Sequence, residues 1–211
     1  DAPQLTAEGF LPEDAAEDYY FVFDKESGEW VYIDHEMVIS IRRFNGVVER
    51  ITFRNEQNGW TVLDLESGEV LAQRDPKAVI NPASMTKILT LLVSAEHVTE
   101  ELMENGTFTM TRAIGDYCFV NKCSNVGYEV DEVIPVKELF YGCILCSGAD
   151  ACLGLAETIF GSHEAIVEAM NAKVAELGLS EKTHFTNCIG LYDPDLHCTV
   201  EEMAIILKAA L

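Results

Sequence analysis

Ser84-Met85-Thr86-Lys87 places a hydroxyl and an amine three residues apart, directly ahead of the apolar run Ile88-Leu89-Thr90-Leu91-Leu92-Val93. Residues three apart share one face of a helix, so the spacing predicts that the Ser84 hydroxyl and the Lys87 amine are neighbours. A serine hydroxyl is a weak nucleophile at neutral pH, and a lysine can take its proton only where burial or a nearby cation lowers the amine's pKa toward working pH. The apolar residues that follow can supply that burial. Asn81-Pro82-Ala83 reads as a turn that stops a strand and starts the helix, leaving Ser84 in a first turn whose free N–H groups favour developing negative charge. Taken alone, the pair also fits an ordinary helix start with a solvated lysine.

A second serine follows in Ser147-Gly148-Ala149-Asp150, immediately after the apolar stretch 139 to 145. It sits on a tight loop between two helical patterns, where a serine is most often an N-cap and Asp150 supports the first turn. Other side chains carry weaker signals. His35, His97, His163, His184 and His197 are scattered, with no H-E-x-x-H or paired-ligand spacing, so polar structural roles are expected. Glu157 and Glu164 are expected on solvated helix faces. Cys143-Ile144-Leu145-Cys146 has metal-ligand spacing but no partner C-x-x-C, and reads instead as a buried helical region with Phe140 and Cys152. No metal site is expected. The seven cysteines are an odd number and no disulfide framework, although Cys118 and Cys123 could close a small loop in an oxidising space.

The elements that must position these groups change character near residue 60. Residues 1 to 18, with Pro3, Pro12 and a run of acidic residues from Glu13 to Asp18, read as a loose acidic arm. Strands are predicted at 19 to 24, 30 to 33, 38 to 44, 47 to 53, 60 to 65 and 69 to 73, with Asn45-Gly46 the best hairpin signal. From residue 84 helices dominate, at about 84 to 104, 136 to 146, 148 to 160, 163 to 177 and 200 to 211. Gly178 suits a helix C-cap, and Thr199 with Glu202 a capping box.

With 211 residues, 48% of them hydrophobic, the chain can build one sizeable core. Its 14 basic against 36 acidic residues, a net charge of −22, exclude nucleic acid and anionic membrane surfaces as expected partners, since both need clustered Lys and Arg. No transmembrane segment is expected, because Asp and Glu interrupt every apolar stretch. The opening Asp1-Ala2-Pro3-Gln4 lacks the basic start and apolar core of a leader peptide.

Taken together, the ordered segments resemble the serine-type D-alanyl-D-alanine carboxypeptidases among the low-molecular-mass penicillin-binding proteins (peptidase family S11), within the β-lactamase/transpeptidase-like superfamily. The resemblance covers about residues 59 to 211. It rests on the hairpin 62 to 71, on Asn81-Pro82-Ala83-Ser84-Met85-Thr86-Lys87, on Leu139-Phe140-Tyr141-Gly142 leading into Ser147-Gly148-Ala149-Asp150-Ala151, on Met170-Asn171 and Glu176-Leu177-Gly178-Leu179, and on Thr183-His184-Phe185-Thr186-Asn187 with Gly190-Leu191. It implies an α/β (α+β) fold in which an antiparallel sheet is flanked by a helical cluster. Residues 19 to 58 would form an N-terminal β extension to a transpeptidase-like domain at 59 to 211.

The resemblance also implies an acyl-transfer mechanism without metal or organic cofactor. Ser84 would attack the carbonyl of a terminal D-alanyl-D-alanine bond, Lys87 would act as base, and Ser147 would pass a proton to the leaving amine. The backbone N–H of Ser84 would form half of an oxyanion hole, and Gly148 and Ala149 would contact substrate. The expected partners are peptidoglycan stem peptides and β-lactams, met outside the cytoplasmic membrane, so a leader would have been removed. Two departures stand out. The family's second motif is S-x-N, and Ala149 replaces its asparagine, a polar contact typically worth about 1–3 kcal/mol. The third motif, K-T-G on a strand, is absent; Lys182-Thr183-His184 is not that motif. Either the chain is a fragment, or the strands at 19 to 55 occupy the free places in the sheet, in which case 37 to 55 must lie beside 60 to 73. Arg42, Arg43, Arg50 and Arg54 could replace the missing cation, although solvated strand-face arginines are the plainer expectation. The rival to an enzyme is a truncated or non-catalytic relative that binds wall peptides or a protein partner through the same cleft. A class A β-lactamase would need a deacylating glutamate after the second motif, and none is identifiable.

Overall fold

The computed structural model describes residues 20–24, 29–33, 40–44, 47–54, 60–64 and 70–211. The acidic arm expected at 1 to 18 and the turns expected near 25–28, at Asn45-Gly46 and at 66–68 lie outside the described residues, as do the side chains of Arg42, Arg43, Arg50 and Arg54. Two compact units, 1–74 and 75–211, divide the chain.

In the first unit, β1 (Tyr20–Asp24) and β2 (Glu29–Ile33) form an antiparallel pair, registered from Tyr20↔Ile33 to Asp24↔Glu29. A separate four-stranded antiparallel sheet has the order β3 (Ser40–Phe44), β4 (Val47–Arg54), β5 (Trp60–Asp64), β6 (Val70–Arg74). β3 and β4 pair antiparallel from Ser40↔Thr52 to Phe44↔Val47. Arg50↔Asp64 through Arg54↔Trp60 then set β4 beside β5. β3 and β4 thus lie in one sheet with β5 and β6. All six strands fall within two residues of the ranges read from alternation and turn signals.

The second unit is a helical cluster around α1 (Thr86–His97), which packs against α4 (Val136–Leu145), α5 (Ala149–Leu155), α6 (His163–Glu176) and α7 (Val200–Ala210). Leu89 and Val93 of α1 are fully buried with Leu139, Leu155, Ile166, Met170, Phe185, Met203 and Ile206. Burying such a side chain contributes roughly 1.5–3 kcal/mol, so these contacts fix where α1 lies. Short antiparallel pairs brace the cluster: β7 (Val79–Ile80) with β10 (Cys198–Thr199), and β8 (Thr107–Thr109) with β9 (Val133–Pro135).

The helix expected over 84 to 104 is divided. A 3-10 turn at Ala83–Met85 leads into α1; Val98 is extended, and Thr99 caps a separate α2 (Glu100–Asn105) by accepting from Leu102 N at 3.2 Å. A threonine oxygen that satisfies the amides of a new first turn ends one helix and begins the next. The helix α3 (Arg112–Val120), capped by Thr111, has no counterpart among the expected elements. Its buried positions are only Ile114 and Cys118, four apart on one face of a nine-residue helix. The helix expected over 148 to 160 is α5 followed by a π-helical turn at Ala156–Phe160 that ends in the left-handed Gly161. Ile144 and Leu145 are 49% and 77% exposed, which corrects the expectation that the Cys143–Cys146 stretch is buried throughout. Cys143 faces the core, and Cys146 is exposed. The capping box at Thr199 is half formed: Thr199 Oγ1 accepts from Glu202 N at 3.2 Å, while the Glu202 carboxylate bonds Ser180 N, Thr183 Oγ1 and Thr199 Oγ1 and not the Thr199 amide.

Candidate active site

Asn81 builds the approach to Ser84. Its Oδ1 accepts from Ala83 N at 3.1 Å, and its Nδ2 donates to Leu196 O at 3.0 Å, tying the turn to the segment before β10. Ala83 takes a positive φ of 47°, and Ser84 follows in the 3-10 turn with its side chain exposed. One turn on, Lys87 is only 4% exposed. Its Nζ donates to Ile189 O at 2.6 Å and lies 3.4 Å from Ser84 Oγ. The i, i+3 spacing thus delivers the contact that it predicts, and the burial of the amine comes from the helical cluster and the 187–191 loop.

That loop is folded by Asn187, whose Oδ1 accepts from Ile189 N at 3.2 Å and Leu191 N at 2.9 Å while its Nδ2 donates to Leu191 O at 2.9 Å. Gly190 then passes so close to the Ser84 turn that a Cβ would lie 1.9 Å from Ala83 O, and its φ is +74°. Only glycine fits there without strain.

A cavity of about 170 Å³ opens beside the pair, lined by Ser84, Lys87, Ala149, the 121–124 loop and the 189–192 loop. Ala149 is buried as the first residue of α5, and its N–H donates to Ser124 O at 2.7 Å. Asp150, 4% exposed, accepts from Val126 N at 3.0 Å, Gly127 N at 3.0 Å and Ala151 N at 2.9 Å, so one carboxylate anchors the loop to the start of the helix. Gly148 is the buried N-cap residue of α5 and donates to Gly142 O at 3.0 Å. Ser147 holds a positive φ of 52°, with its Oγ buried and unpartnered. Ser147 and Gly148 are not among the residues lining the cavity, whereas Ser84, Lys87 and Ala149 are.

Sequence reading missed the 121–124 wall and Tyr192. The only signal for the wall was the Cys118/Cys123 spacing, which marks the end of α3. All seven cysteines are free thiols. Burial pushes Cys118 up to about 12; it also raises Cys123, with Lys87 and the hydrogen bond to Cys118 acting the other way. Among the described residues no group of three or more His, Cys, Asp or Glu could hold a metal ion, and no helix is long and apolar enough to cross a membrane.

Residues 51–211 match the family model described as D-alanyl-D-alanine carboxypeptidase. D-alanyl-D-alanine carboxypeptidase DacF of Bacillus subtilis is 32% identical over 159 residues, covering 74% of this chain and 39% of that protein. DacA of Escherichia coli is 32% identical over 162 residues, 73% of this chain and 39% of that one. The chain therefore spans about two fifths of the length of these curated relatives. Among solved structures, penicillin binding protein 5 from Haemophilus influenzae superposes with a TM-score of 0.66 at 31% identity, covering 71% of this chain and 43% of that one. A Streptomyces DD-transpeptidase gives a TM-score of 0.67 at 25% identity over 71% of this chain and 58% of that one. With a serine and lysine in contact on a cavity wall, a penicillin-binding/transpeptidase fold and a family match over most of its length, the chain belongs to the D-alanyl-D-alanine carboxypeptidase family.

Proposed function

We propose that this chain carries the acyl-transfer centre of a serine D-alanyl-D-alanine carboxypeptidase acting on peptidoglycan stem peptides outside the cytoplasmic membrane, and that β-lactams acylate the same serine. The observation that carries the reading is the 3.4 Å contact between the exposed Ser84 and the buried Lys87. Ser84 Oγ bonds to the carbonyl carbon while its proton passes to Lys87 Nζ. Ile189 O, accepting from Nζ at 2.6 Å, holds the amine in line. The amide N–H of Ser84, in the opening turn, stabilises the oxyanion. As the tetrahedral intermediate collapses, the C–N bond breaks and the proton taken up by Lys87 is relayed through Ser147 to the leaving amine; water then hydrolyses the ester, its proton taken by Lys87 and passed back to Ser84 Oγ. The role of Ser147 rests on the family's pattern, since its buried, unpartnered hydroxyl does not line the cavity. Substrate contact at this corner falls to Gly148 and Ala149.

The hydrogen bonding of β4 to β5 supports reading β3 and β4 as a β extension that completes the sheet, whereas β1 and β2 pair only with each other. A second reading, a non-catalytic relative that binds wall peptides through the same cleft, is favoured by Ala149, which offers the cavity a methyl group where the family's pattern has an amide.

Intact-protein mass after incubation with a reactive penicillin separates the two. A single adduct that Ser84→Ala abolishes is the expected result. No adduct on folded protein overturns the enzyme and leaves the binder.

A further inference from the structure

The cavity beside Ser84 is lined by two lysines, Lys87 and Lys122, and by no carboxylate, in a chain of net charge −22. Lys87 is buried and already engaged with Ile189 O and Ser84 Oγ. The charge at the cavity's open side is therefore that of Lys122, whose side chain is exposed.

Its backbone position is unusual for a lysine. At the end of α3, Cys123 N donates to Cys118 O at 3.0 Å and Lys122 N to Phe119 O at 3.2 Å, a paired closure that places Lys122 in the left-handed region with φ +52°. At the end of α6 the same closure, Leu179 N to Val174 O and Gly178 N to Ala175 O, carries glycine at the equivalent place, with φ +68°. Glycine is the unstrained choice in this motif, and a side chain with a Cβ costs about 1–2 kcal/mol there. The helix end that does not line this cavity uses glycine, and the one on the cavity wall uses lysine. Strained positions persist where their side chains serve a site. The strained loop is also held in place: Ala149 N binds Ser124 O, and Asp150 clamps Val126 and Gly127 just beyond.

We propose that Lys122 is a specificity-determining residue that selects acyl donors carrying a carboxylate. Building on the proposed acyl transfer, its ammonium pairs with a carboxylate of the bound substrate and draws the scissile carbonyl toward Ser84. That carboxylate is either the terminal one of the leaving residue or one on the acyl side chain; a lysine head group on a flexible stem suits both.

The test compares rates of Ser84 adduct formation by mass spectrometry for benzylpenicillin and for its side-chain-carboxylated analogue carbenicillin, both of which bear the ring carboxylate. The proteins are wild type, Lys122→Gln and Lys122→Arg. Loss of one exposed or half-buried ion pair predicts a slowing of roughly fivefold in Lys122→Gln, with rescue by arginine. Slowing confined to carbenicillin assigns the side-chain carboxylate, and equal slowing of both assigns the ring carboxylate, the counterpart of the peptide terminus. Wild-type rates in Lys122→Gln overturn the proposal while leaving Ser84 chemistry intact. If wild type forms no adduct, the acyl-transfer reading fails by itself, and binding of N-acetyl-D-alanyl-D-alanine to wild type and Lys122→Gln decides the role of Lys122. Weaker binding by the variant supports it; equal binding, or none by either, overturns it.

Discussion

Ser84 and Lys87 meet because a helix turn brings them together, but the amine's direction is set from across the fold by Ile189 O. That carbonyl is presented by a loop that can lie against the serine turn only if residue 190 has no side chain. Gly190→Ala adds a Cβ 1.9 Å from Ala83 O at a φ of +74°. The left-handed conformation alone costs about 1–2 kcal/mol, and the clash must displace either the loop or the Ser84 turn. The expected outcome is a drop of at least about 2 kcal/mol in urea unfolding and a loss of most penicillin acylation. Wild-type stability and acylation in Gly190→Ala would show that the close approach has no part in the site.

At the scale of elements, the cavity wall at 121–124 depends on how α3 ends and on how α5 begins. The Asp150 carboxylate accepts three backbone N–H groups from both sides of that junction. Asp150→Asn replaces one acceptor oxygen with a donor that faces an amide, leaving a buried N–H without a partner at about 1–3 kcal/mol. Faster amide hydrogen exchange at 121–128 than in α1, together with slower acylation, is the expected result. Unchanged exchange would mean that the loop is held by Ser124 O and Ala149 N alone.

Over the whole molecule, Glu202 couples α7 to the segment that follows α6. Its carboxylate accepts from Ser180 N at 2.7 Å, Thr183 Oγ1 at 2.6 Å and Thr199 Oγ1 at 3.0 Å. Burial by itself raises this carboxyl, but the hydrogen bonds from Ser180, Thr183 and Thr199 together outweigh it and hold the group below the ordinary glutamate value. The unfolded state therefore binds the proton first as pH falls. The stabilisation is complete above the usual carboxylate range and is lost as pH drops through it toward the lowered native value. Glu202→Gln should cost about 1–3 kcal/mol at pH 7, and the gap from wild type in urea unfolding should narrow as pH falls through about 4.3. A gap that is constant with pH would assign the loss to packing and not to the charge.

Local chemistry made some of this legible in the sequence. Alternation and turn residues placed the six strands, because a strand pair needs only neighbouring residues and a tight loop. The S-x-x-K spacing placed the Ser84–Lys87 contact, because one helix turn is a local geometry. Thr199 and Gly178 marked helix ends for the same reason. What tertiary structure alone decided depends on groups far apart in sequence: Ile189 O against Lys87, Asn81 against Leu196, and the α3 terminus against the start of α5. The break at Thr99 escaped sequence reading because the same cap ends one helix and begins the next, and the helix Arg112–Val120 because it is short and buries only Ile114 and Cys118. The cavity is bounded by backbone from three distant segments, and a backbone carbonyl or amide has no signature in the residue that carries it.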